Sequence, residues 1–146
     1  YGDANIPALA LFIPLLTGTG GNAGSQTVGT VIRGMALGEI KPSHAAWVVA
    51  RECLTGLCLG LILGLTALFY IKFWRNQPWG VSAVVGLALF SVCMWANVIG
   101  SLVPLAARRV GIDPAVVSAP FISPLVDATG MVIYFTIAIS LLGLHK

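Results

Sequence analysis

Four long apolar runs separated by short polar breaks set the pattern of the chain. They cover about residues 6–36, 43–73, 78–107 and 114–144. Each exceeds the roughly 20 residues that a helix needs to cross a bilayer, with length left for tilt or a break. The connections at 38–42, 75–78 and 108–113 are short and polar, which predicts antiparallel neighbours in one bundle. Pro42, Pro78 and Pro114 stand near the starts of runs, where a missing N–H does little harm. Ser43 and Asp113 are predicted helix N-caps, and Trp47, Trp74 and Trp79 fall where amphipathic rings favour a membrane interface. The expected fold class is an all-α, polytopic helical bundle, with residues 1–146 as a single transmembrane domain of four spans.

Two runs depart from plain hydrophobicity. Asp127 lies deep in the fourth, after Pro120 and Pro124. A carboxylate at the middle of a membrane helix costs roughly 2.5–3.5 kcal/mol on insertion scales, and such residues usually face a pathway or a partner. The two prolines predict a bent or interrupted helix, so the acid would stand beside freed backbone carbonyls: a candidate cation site. The first run contains Gly18, Gly20, Gly21 and Gly24 among Asn22, Ser25 and Gln26. Small residues allow close helix packing, but three polar side chains within two turns need partners, which favours a lining role in a permeation pathway. A near-repeat, P-L-x-x-x-T-G, links residues 14–20 to 124–130. It sets Thr17 opposite Asp127 in register, with Thr129 inside the second copy, as interrupted helices of inverted repeats meet around transporter sites.

Composition agrees with a membrane domain. The chain is 58% hydrophobic and 9% charged, against about 25% charged in soluble domains. A net charge of +3, scattered along the chain, argues against nucleic-acid binding. Arg33, Lys41, Arg51, Arg108 and Arg109 fall on one predicted side, and Lys72, Arg75 and Lys146 on the other. The positive-inside tendency puts the first and third connections in the cytoplasm and the C-terminus outside. The chain opens on Tyr1 rather than Met, so it reads as a piece of a longer protein; on this orientation Tyr1 starts outside, and a preceding part that begins in the cytoplasm needs an odd number of further spans. Cys53, Cys58 and Cys93 lack metal-ligand or disulfide spacing. No nucleophile–base constellation is present either, which argues against an enzyme. Glu52, the other acid within a run, follows Arg51; it reads as an interfacial ion pair or as a second cation contact at the cytoplasmic mouth.

The G-G-N-A-G-S-Q stretch at 20–26, V-I-R-G at 31–34, D-P-A-V-V-S at 113–118 and P-L-V-D-A-T-G at 124–130 together resemble the transmembrane domain of MgtE-type magnesium channels. The resemblance implies five spans per subunit, of which this chain would hold the second to fifth, and a pore at a homodimer interface in the cell membrane. It also implies a cytosolic Mg²⁺-sensing region as a partner. By motif, Asp127 would be the central pore carboxylate, given by both subunits to one hydrated Mg²⁺. Ser123 would lie one turn earlier at a site-lining position, with Asn22 and Ser25 along the same pore and Thr17, Thr129 and Glu52 as further candidates.

Mg²⁺ demands near-octahedral oxygen ligation and gives up water reluctantly, so hydrogen bonds to its water shell are an economical way to recognise it. Two facing carboxylates repel when empty, and a divalent ion relieves that repulsion more fully than a monovalent one, a form of charge selection used by channels. Two other readings stay open: a Na⁺- or H⁺-coupled divalent-cation carrier, and an assembly module in which Asp127 only joins helices.

Overall fold

The computed structural model describes residues 7–117 and 119–143. Asp3, Ser118, His145, Lys146 and the outer ends of the first and fourth predicted runs lie outside the described residues. After a helical turn at 7–10 come four long helices: α1 (Ile13–Ala36), α2 (Ala45–Phe69, extended by a π-helical turn Tyr70–Trp74), α3 (Trp79–Arg109) and α4 (Ala119–Leu142). Short 3₁₀ turns, Pro42–His44 and Pro114–Val117, precede α2 and α4. No strand occurs among the described residues.

Among the described residues, three helices are long and apolar enough to cross a membrane: Ala45–Trp74, Trp79–Arg109 and Pro120–Leu142. These make the chain a multi-pass membrane protein. α1 has 24 residues, about 36 Å at 1.5 Å per residue; it has the length, but its glycines and polar residues dilute its apolar character.

The helices alternate in direction. Tyr134 Oη donates to the Leu9 carbonyl at 2.9 Å, while Gly24, further along α1, faces Ile122 in α4, so α1 and α4 are antiparallel. Gly56 faces Met94 and Asn97, and Gly64 faces Gly86, which makes α2 and α3 antiparallel. Gly20 meets Val92 and Gly24 meets Ala96, so α1 and α3 run parallel. α3 packs against each of the other three helices. That central place explains its burial: Val81, Val84, Val85, Ala88, Val92, Cys93 and Ala96 are sealed from solvent.

The ends of α1 and α3 share one design. Gly38 (φ 75°) and Gly111 (φ 80°) adopt a left-handed conformation that a Cβ disfavours. Their turns close with Glu39 N–H donating to the Gly34 carbonyl at 3.0 Å and Ile112 N–H to the Ala107 carbonyl at 2.9 Å; these bonds satisfy carbonyls left free by the helix end. Arg33, Arg108 and Arg109 occupy the last turns, where cations complement the helix dipole.

Two capping expectations fare differently. Asp113 Oδ1 accepts from Ala115 N–H at 2.9 Å, so Asp113 caps the turn before α4. Ser43 does not cap α2: it lies within the 3₁₀ turn Pro42–His44, and the N-cap falls one residue on, at His44, without a side-chain cap bond. Pro124 does not interrupt α4, which is helical from Ala119 to Leu142; its missing N–H leaves the Pro120 carbonyl without its helical partner.

Candidate functional site

The glycine-rich part of α1 and the proline-containing part of α4 come together. A Cβ on Gly21 would lie 2.5 Å from Ser123 Oγ and 3.0 Å from Asp127 Oδ1. Ser123 and Asp127 are one turn apart and share a face of α4, and Gly21 is the residue that lets this polar edge close against α1. Around it Val126 and Ile122 pack on Ala23, Val28 and Ala96. Asp127 is half-buried, yet its Oδ1 is sealed and has no hydrogen-bond partner among the described residues. A buried polar atom without a partner is uncommon and costly.

The other candidates take different positions. Ser25, half-buried, follows Gly21 by one turn on the same face, whereas Asn22 is exposed. Asn22, Gln26, Thr30 and Arg33 form an exposed polar row along α1, at spacings that repeat on one helical face. Thr17 does not bond to Asp127: its hydroxyl donates within α1, to the carbonyls of Ile13 at 3.2 Å and Pro14 at 3.4 Å. The Thr129 hydroxyl donates to the Leu125 carbonyl at 2.7 Å and accepts from Trp95 Nε1 at 2.8 Å, so much of its capacity is used. Glu52 lies apart from this edge, on α2, paired with Arg51 at 2.7 Å.

Trp95 and Asn97 join the polar inventory without having been singled out in the sequence. Asn97 is 3% exposed; its Oδ1 accepts from Thr27 at 2.8 Å and its amide donates to the Cys93 carbonyl at 2.8 Å. The available signal was chemical: an indole N–H or a carboxamide inside an apolar run must find a partner. Among the described residues no three His, Cys, Asp or Glu side chains gather as a chelating cluster.

The model of a family described as divalent cation transporters, MgtE, matches residues 13–137. The chain belongs to the MgtE family. Relatives named magnesium transporter MgtE include one from Enterococcus faecalis, 43% identical over 89% of this chain and 28% of its own length. Another, from Thermus thermophilus, is 37% identical over 91% of this chain and 29% of the relative. A third, from Bacillus subtilis, is 29% identical over the same shares, 91% and 29%. The chain thus spans less than a third of the length of these curated MgtE relatives, and the match includes both halves of the α1–α4 contact.

Proposed function

We propose that the chain is the pore domain of a Mg²⁺ channel, with α1 completing a set of four spans and with hydrated Mg²⁺ as the permeating substrate. The observation that carries this reading is Asp127 Oδ1, buried without a partner beside Ser123 at the Gly21 contact. An acceptor in that condition leaves the carboxylate short of donors, and the open part of the half-buried side chain can take them from the water shell of a divalent cation. The scarcity of acids at the site favours contact through water over direct chelation.

Pairing with a second copy is supported by the polar row Asn22, Gln26, Thr30 and Arg33. Such residues facing lipid would be expensive, whereas a two-fold interface enclosing water covers them and brings two Asp127 carboxylates to one axis. The names and greater lengths of the relatives support Mg²⁺ as the ion and a separate sensing region as a partner of the domain.

Flux into liposomes, read by an internal Mg²⁺ dye, tests the assignment. Asp127→Asn and Asp127→Ala are expected to cut Mg²⁺ entry at least tenfold while the protein still assembles. Parent-like flux in both variants would overturn the pore reading. Flux that follows an opposing Na⁺ or H⁺ gradient would identify a coupled carrier, and loss of the dimer with retained flux per assembled copy would identify an assembly role.

A further inference from the structure

On one side of α3, α1 and α2 stand apart, and several polar side chains line the space between them. The cleft holds about 430 Å³ and is lined by Gln26, Thr27, Thr30, Arg51, Glu52, Thr55 and Asn97 beside the apolar Ala23 and Leu59. Glu52 is only 7% exposed. Its Oε1 accepts two bonds from Arg51, at 2.7 and 3.1 Å, and its other oxygen makes no hydrogen bond among the described residues.

The hydroxyl hydrogens in this cleft are already spent. Thr27 donates to Asn97 Oδ1 at 2.8 Å, Thr30 to the Gln26 carbonyl at 3.0 Å and Thr55 to the Arg51 carbonyl at 3.0 Å. Each threonine oxygen is therefore left with lone pairs only. A carboxylate and three accepting hydroxyls make a surface that wants donors and positive charge. The water shell of a small divalent cation provides both.

Arg51 is placed to yield. Its side chain is 42% exposed, and its guanidinium also lies over the Trp47 ring, 5.2 Å from the centroid, so it keeps a favourable contact if it leaves Glu52. A second cavity of about 480 Å³ shares Thr30 and Arg51 with the cleft and continues to Arg33 and Glu39, towards the end of the bundle where α1 terminates. Thr27 is six residues beyond Gly21 on α1, about 9 Å further along the helix.

The geometry points to a second stop for a hydrated divalent cation at Glu52, in series with Asp127, where Arg51 is the resident counter-ion and moves onto Trp47 when the ion arrives. It deepens the pore reading and rests on it for the path. Rapid conduction needs several moderate sites rather than one deep one, and two stops a short distance apart meet that requirement.

Mn²⁺, a paramagnetic divalent probe, tests this by titration of the purified chain under electron paramagnetic resonance. The parent is expected to hold one more ion than Glu52→Gln, both with Asp127 present and in an Asp127→Asn background. Arg51→Gln should tighten Mn²⁺ at this stop by roughly three- to fivefold, the scale of losing a half-exposed ion pair; a purely structural pair predicts no gain. Thr55→Val, which leaves the pair intact, should weaken the same stop. Equal ion counts in parent and Glu52→Gln, or unchanged affinity in both Arg51→Gln and Thr55→Val, would overturn the site. An Asp127→Asn variant that loses no ion counts against the Asp127 assignment alone, because the Glu52 comparison is read in both backgrounds.

Discussion

At Gly21 a single hydrogen atom separates α1 from the polar edge of α4. A methyl group there would meet Ser123 Oγ at 2.5 Å and Asp127 Oδ1 at 3.0 Å. Ser123 can rotate its hydroxyl away, but Asp127 must give way as well, at a cost of about 1–3 kcal/mol for an overpacked contact. Gly21→Ala is therefore expected to lower Mg²⁺ flux by more than it lowers thermal stability. Adding Ser123→Ala, which removes the nearer atom, should restore part of the flux. Parent-like transport in Gly21→Ala, measured in the same liposomes, would show that the close approach has no bearing on the ion path. Asp127 is legible in the sequence because its cost in an apolar run is visible without neighbours. The part of Gly21 is not legible: among several glycines, the one that faces a carboxylate is decided by helix register and by which helix lies opposite. The same holds for Thr17, whose repeat position suggests Asp127 as a partner while its hydroxyl satisfies itself on the preceding turn.

The helices themselves were largely written in the runs, since 43–73 and 78–107 nearly coincide with Ala45–Trp74 and Trp79–Arg109. What the runs do not contain is which helix is central. α3 looks no more apolar than α2, yet it is buried by three neighbours while α2 rests mainly on α3. The α2–α3 seam is made by small residues: a Cβ on Gly64 would lie 2.6 Å from the Gly86 carbonyl oxygen. A backbone atom cannot swing aside as a side chain can, so Gly64→Ala should force the two helices apart and cost about 1–3 kcal/mol. Gly29, also inside a helix, has nothing within 4 Å of its would-be Cβ. Gly29→Ala should be neutral or stabilising by up to about 1 kcal/mol, from helix propensity alone. Unfolding both variants in one detergent checks the pair, and equal stability would mean that the seam is looser than these distances require.

For the whole molecule, the parallel course of α1 and α3 brings the basic turns after both helices to one end. Arg33, Arg108 and Arg109 gather there with Lys41 in the following connection, while Lys72 and Arg75 mark the opposite end of α2. The positive-inside tendency acts on such a cluster in short connections, and on that basis the Glu52 cleft is expected on the cytoplasmic side of Asp127. The orientation can be read in a background where Cys53, Cys58 and Cys93 are replaced by alanine. Gln77→Cys, between α2 and α3, should react with a membrane-impermeant maleimide added to intact cells. Ile112→Cys, after α3, should react only once the membrane is opened. The reverse pattern would invert the molecule and turn the Glu52 cleft towards the outside. Labelling of both positions in intact cells would mean that α3 does not cross, which would overturn the four-span arrangement.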